Sequence, residues 1–174
     1  SMQSHVTPGF AKEVARLRLE AKEDIFFLLS TMQPLGDDLP ANAVSAASLT
    51  MRENLALLDH CTDFIGCGSG LTVVATCDRP RQVPILQILD SGRSVLGSFH
   101  HDFSYWGKST DMLIELSDAT PEETFACLRR CQGSGMKGAI AEFHRPVPVT
   151  FDFLHTISDY LIERGQYLDA AESL

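Results

Sequence analysis

His60, Cys61 and Cys67 are the residues whose types come nearest to a metal-binding set. A structural zinc site draws its ligands from pairs at short spacing. Here a His-Cys pair is followed, after a gap of five residues, by one more cysteine. The spacing argues against a zinc centre, and no metal or other cofactor is predicted.

Two further stretches invite an enzymatic interpretation. His100, His101 and Asp102 resemble a general base with its orienting acid, but no nucleophile motif accompanies them, so surface histidines are preferred. The stretch GCGSG (66–70) lacks a preceding strand and the lysine of a phosphate-cradling loop, so it indicates a turn. The sequence therefore predicts a protein that is not an enzyme.

The composition excludes several partner classes. The chain has 174 residues, 44% of them hydrophobic, which is enough for one domain with its own core. Its net charge of -9 argues against nucleic acid as a partner, although a single anionic group can still be held locally. Without a run of eighteen apolar residues, no membrane partner is expected. Five irregularly spaced cysteines favour the reducing cytosol or nucleus.

Helical patterns dominate the first part of the chain. Apolar residues at steps of three and four predict a helix over 11–33, which either packs onto the domain, the preferred interpretation, or continues a coiled coil. Thr50 and Glu53 form a capping box that predicts a second helix ending by Gly66. Residues 3–69 are therefore expected to be a helical N-terminal extension, preceded by an expression scar at residues 1–2.

From residue 70 onward, short apolar runs predict strands of a parallel sheet. These runs are LTVVAT (71–76), SVLGSF (94–99), MLIEL (112–116) and PVPVT (146–150). The stretch VPILQILDSG (83–92) between the first two is predicted to be a helix, opened by Pro84 and stopped by Gly92. The prolines of PVPVT place it at a sheet edge, with a plain linker as the alternative.

Three helical stretches alternate with the later strands. Thr120, Pro121 and Glu123 predict a capped helix to about Cys131. The glycines of QGSG (132–135) interrupt it, a further helical stretch follows over 136–144, and a last helix begins at Phe151. The order predicts an α/β fold with a four-stranded parallel sheet flanked by helices on both faces.

Ligands of such sheets bind beyond the carboxyl ends of the strands, near helix N-termini that favour anions. Thr76 ends the first predicted strand, so an anion is the expected guest beside it. As an alternative, the Thr76 hydroxyl bonds its own backbone.

Several stretches of the sequence resemble a BRCT domain, the phosphoprotein-recognition and scaffolding module of nuclear proteins. They are VVATCD, LQILDSGRSVLGSF, DMLIEL, KGAIAEFHRPVPVTFDFL and LIERGQYLDAAESL, so that the resemblance covers residues 70–174. The overall style is similar to the terminal BRCT domain of a kinetoplastid kinetochore protein.

The resemblance implies a phosphate site. Thr76, the backbone N–H of Cys77 and Lys137 would hold the phosphate of a phosphoprotein peptide, with Arg79 and Arg81 in support. It also implies a nuclear protein-interaction module without catalysis. As an alternative, the domain is a scaffold or dimerisation domain that does not recognise phosphate. Lys137 is then a solvated helix residue. Trp106 either packs in a loop or anchors a partner.

Overall fold

The computed structural model describes residues 4–31, 35–76, 82–92 and 97–172. Over these residues the chain is a mixed α/β protein with parallel strands. The helices are α1 Pro8–Glu20, α2 Met51–Leu58, α3 Gly70–Ala75, α4 Phe99–Tyr105, α5 Pro121–Phe143, α6 Phe151–Glu163 and α7 Tyr167–Glu172. The strands are β1 Phe27–Leu29, β2 Ala43–Ser45, β3 Phe64–Gly66, β4 Ile85–Leu89 and β5 Leu113–Ser117.

A parallel sheet in the order β3-β4-β5 forms the centre of the protein. Ile85 lies opposite Phe64 on one side and opposite Leu113 on the other. All five residues of β4 are buried, as expected of the middle strand in a sheet covered on both faces. Beyond β5, Arg145 forms a single parallel bridge with Leu116. A separate pair of parallel strands, β1 and β2, comes from the N-terminal part of the chain.

The main hydrophobic core joins this sheet to α1 and α5. Leu86, Ile88, Ile114, Leu116, Val14, Cys127 and Leu128 are among its buried members. The contribution of Val14 brings the predicted N-terminal extension into the same core as the later strands. The sheet also crosses the predicted boundary at 69/70, because β3 precedes it and pairs with β4. The division into extension and domain stays a prediction.

The stretch VPILQILDSG was predicted to be a helix and contains the central strand β4 instead. Ile85, Ile88 and Leu89 lie at helical spacing, but a strand buried on both faces is apolar at most positions and therefore also contains residues at that spacing. Its one polar member, Gln87, is fully buried and is satisfied by the Gly97 carbonyl and the Phe99 N–H. The helical prediction for this stretch was wrong.

LTVVAT was predicted to be the first strand, yet these residues belong to helix α3. Ser69 precedes the helix with an extended backbone, and its N–H donates to the Thr72 hydroxyl. This local cap prevails over the β-branched composition of the run, because composition is a weak preference that local bonding and packing override.

The helix predicted over 11–33 begins at Pro8 and ends at Glu20. Lys22 adopts a left-handed backbone with φ 56°, which stops the helix. Phe27–Leu29 then pairs with Ala43–Ser45 as a strand, so the extension is not wholly helical as predicted.

The edge strand predicted at PVPVT does not form in the structure. Pro146 and Pro148 have no N–H to donate, and the pairing with β5 is limited to Arg145, one residue earlier. Val147 is nevertheless fully buried. In the predicted strand SVLGSF, residues 94–96 lie outside the described residues, and Phe99 opens α4.

Several local predictions are confirmed. The capping boxes of Thr50 and Thr120 both form, and MLIEL supplies β5. Gly135 has a non-helical backbone inside α5, within the stretch predicted to interrupt it. The last long helix begins at Phe151 as expected.

Candidate functional site

Thr76 lies at the C-terminal end of α3, not at the end of a strand. Its hydroxyl donates to the Val73 carbonyl at 2.7 Å, which is the backbone-bonding alternative considered for this residue. The C-terminal end of a helix carries carbonyl groups and a partial negative charge, which disfavour an anion. The described surroundings of Thr76 thus differ from those expected of a phosphate contact.

Lys137 lies on α5, two residues after the kink at Gly135, and its side chain is exposed. The ion pairs found within the described ranges do not include it. Helix α5 packs against α1 and β5, whereas the helix that ends at Thr76 packs against α2 and β3. No described hydrogen bond joins Thr76 to Lys137. Cys77, Arg79 and Arg81, the other predicted contacts, lie outside the described residues.

A buried polar cluster that the sequence did not predict lies between β5 and α4. The Glu115 side chain is fully buried, and its carboxylate accepts the Ser98 hydroxyl at 2.8 Å and the His100 backbone N–H at 3.0 Å. Ser98 is the N-cap of α4. A carboxylate at a helix N-terminus is stabilised by the exposed N–H groups and the partial positive charge there.

His144 and His100 extend this cluster as a pair of hydrogen-bonded rings. The Glu115 backbone N–H donates to Nδ1 of His144 at 3.0 Å, so that Nδ1 carries no proton. The neutral His144 ring therefore holds its proton on Nε2, which lies 3.2 Å from Nδ1 of His100 and donates to it. His100 in turn carries its own proton on Nε2. One backbone donor thus fixes the tautomers of both rings.

Burial lowers the pKa of His144 below its ordinary value of 6.5. The neighbouring His100 ring lowers this pKa further, because two charged imidazoles repel each other. Both causes agree with the hydrogen bonds, which require the neutral ring.

His101 contacts the chain beyond α5 by a different bond. Its Nε2 lies 2.6 Å from the Val147 carbonyl oxygen and donates to it. The histidines of HHD (100–102), expected at the surface, are half-buried and make structural contacts. The signals that identify the cluster are an acid inside the apolar run MLIEL and a histidine at the end of α5.

The two rings are poorly suited to ligate a metal together. A histidine that ligates through Nε2 normally donates an N–H from Nδ1 to an acceptor. Nδ1 of His144 instead accepts an N–H, which leaves the proton on Nε2. Over the described ranges, no group of three or more His, Cys, Asp or Glu residues is arranged to hold a metal ion.

A cavity of about 1230 Å³ lies beside the core, bordered by α1, β1, α2 and β3. Its wall is largely apolar and includes Phe10, Val14, Phe27, Leu58, Phe64 and Leu128. Cys61, Cys67 and Cys131 also line it, and burial raises the pKa of the Cys67 thiol. Neither Thr76 nor Lys137 is among its described lining residues.

Fold and site together define a mixed α/β protein with a buried carboxylate-histidine cluster at the edge of a parallel sheet. No family model matches the chain, and no match was found among curated proteins or solved structures. None of the helices in the described part of the chain has the length and apolar character needed to cross a membrane.

Proposed function

We propose that this chain is a protein-interaction module that binds an anionic group of its partner, a phosphorylated peptide side chain, through Lys137. The observation that carries the proposal is that Lys137 is exposed, while the ion pairs found across the described residues leave its charge uncompensated. The nearby Arg130 differs, because its Nε lies 2.9 Å from a Glu142 carboxylate oxygen. Of these two cations, Lys137 is the one available to a ligand.

The backbone around Lys137 supports an anion at this position. Gly135 has φ 77° and ψ 171°, so a second helical segment begins after it, with Lys137 in the first turn. The start of a helix favours negative charge through its N–H groups. A hydrogen bond to a charged group contributes about 1.5–3 kcal/mol, so one lysine supplies part of the roughly 8 kcal/mol of a micromolar complex. Peptide side chains supply the remainder.

Within this proposal the protein is a nuclear domain of the BRCT type that is not an enzyme, and its partner is a phosphoprotein. A four-stranded BRCT sheet would require a strand beside β5, at the edge where Arg145 now forms one bridge. Thr76 contributes only if its hydroxyl gives up its hydrogen bond to the Val73 carbonyl and donates to the phosphate instead. Lys137 therefore carries the proposal more directly than Thr76.

Paired peptides that differ only in phosphorylation test the proposal. A library of phosphoserine and phosphothreonine peptides is titrated beside its unphosphorylated counterparts, and tighter binding of the phosphorylated set is expected. Lys137→Ala should weaken that binding at least tenfold without changing the melting temperature. Lys108→Ala is the control, because the Lys108 ammonium lies over the Phe103 ring and Lys108 is not part of α5. Equal affinity for both peptide sets would show that the protein does not recognise the phosphate.

One observation favours the alternative of a phosphate-independent scaffold. The Tyr105 and Trp106 side chains are 81% and 71% exposed, and their rings meet edge to face with centroids 4.9 Å apart. Exposed aromatic residues of this kind are frequent anchors of protein interfaces. If the domain dimerises through this pair, Trp106→Ala will abolish concentration-dependent self-association in sedimentation experiments, whereas Lys137→Ala will leave it intact.

A further inference from the structure

We infer that residues 144–147, here called the edge segment, form a latch on β5 that is released by acid. The Arg145 N–H donates to the Glu115 carbonyl at 2.7 Å. The Arg145 carbonyl accepts the N–H of Ser117 at 3.2 Å and its hydroxyl at 2.7 Å. Val147 is fully buried and its carbonyl accepts the Nε2–H of His101, so this end of the segment is attached by packing and by one side-chain hydrogen bond.

The acid sensitivity follows from the fixed tautomers of the His144 and His100 rings. A second proton on His144 must go to Nδ1, where it opposes the Glu115 N–H. A second proton on His100 must go to its Nδ1, where it opposes the Nε2–H of His144. Neither ring can therefore become charged without the loss of a hydrogen bond that attaches the edge segment.

The elements packed around the two rings carry other charged and titratable groups. On the packed elements these are Glu115 of β5, His101 and Asp102 of α4, and Glu123, Arg130 and Glu142 of α5, with Arg145 in the segment itself. Arg145 pairs with Glu123 at 3.3 Å, and Arg130 with Glu142 at 2.9 Å. These two ion pairs involve neither His100 nor His144, so the inference rests on the hydrogen bonds of the two rings.

His101 provides an internal contrast to the other two histidines. It donates from Nε2 to the Val147 carbonyl, and a second proton enters at Nδ1 without disturbing that bond. Its protonation does not release the segment. Acid sensitivity is thus assigned to His100 and His144, and it does not depend on the function proposed for Lys137.

Release of the edge segment uncovers the outer edge of β5. The backbone N–H of Ser117 and the carbonyl of Glu115 lose their partners from Arg145. An unpaired strand edge is available to another extended chain. The latch therefore couples the protonation of two rings to the exposure of a sheet edge.

Amide hydrogen exchange followed by NMR on the full chain at pH 7.5 and pH 5.5 tests this device. After correction for intrinsic rates, protection of the Glu115, Ser117 and Arg145 amides should fall below about pH 6.5, by about tenfold per pH unit if one ring takes up a proton on opening and by up to about a hundredfold if both do. The Ile88 amide, in the central strand, is the reference and should keep its protection. Equal protection of the three amides at both pH values would overturn the inference.

Two variants distinguish the titration of His144 from its structural role in holding the edge segment. In His144→Asn the side-chain oxygen still accepts the Glu115 N–H but does not titrate, so protection should remain high at both pH values. His101→Gln retains a donor to Val147 and should show the wild-type pH dependence. A pH dependence that persists in His144→Asn contradicts the assignment, because both opposed hydrogen bonds involve the His144 ring. If those variants do not fold, ring nitrogen spectra of the wild type decide, because a proton on Nδ1 of His144 at neutral pH would refute it.

Discussion

The carboxylate of Glu115 accepts the backbone N–H of His100 at 3.0 Å and thereby attaches the first turn of α4 to β5. Its other oxygen accepts the Ser98 hydroxyl at 2.8 Å. Both Glu115 and Ser98 are fully buried, so water cannot replace a lost acceptor without rearrangement. The acid is a structural element, placed where its charge meets a helix N-terminus.

Glu115→Ala should therefore lower the free energy of unfolding by about 3 kcal/mol, because it leaves two donors without an acceptor. Glu115→Gln keeps the shape and one acceptor oxygen, so its loss should be smaller, about 1 kcal/mol. Urea denaturation monitored by circular dichroism measures both values. Equal stability of the alanine variant and the wild type would show that the carboxylate does not hold α4.

Stability should also decrease in mild acid because of His144. Its pKa is lowered in the folded protein from an ordinary 6.5, so the unfolded chain binds a proton that the folded chain does not. The stabilisation is fully present above about pH 6.5 and is lost as the pH falls towards the folded value. Urea midpoints measured from pH 7.5 to 5.0 should fall below pH 6.5, and His144→Asn should flatten this decline. An equally steep decline in the variant would exclude His144 as its source.

Much of the helical framework could be predicted because its signals are local. Thr120 and Glu123 lie three residues apart, and the bonds between them depend on that helical turn alone. The Gly135 break and the strand Leu113–Ser117 were likewise marked by residues within the elements themselves.

The candidate site could not be predicted in the same way, because its contacts join distant parts of the chain. Glu115 meets His144 across 29 positions, and His101 meets Val147 across 46. The sequence also predicted a strand at 71–76 and a helix at 83–92, whereas the structure has a helix and then a strand there. Once β4 is a strand and α3 a helix, Thr76 no longer ends a strand at the ligand-binding edge of the sheet.

Gly133 and Gly135 should respond to alanine in opposite directions, although they are two residues apart on α5. A Cβ at either position meets no other atom within 4 Å, so sterics do not separate them. Gly133 lies in the regular helix, where alanine is favoured by about 1 kcal/mol. Gly135 has φ 77° and ψ 171°, a region that is essentially restricted to glycine, so alanine should cost about 1–3 kcal/mol. Urea denaturation of the two variants provides the comparison. A gain in stability from Gly135→Ala would mean that α5 runs straight through this position, which would also remove the second helical start that places Lys137 in a first turn.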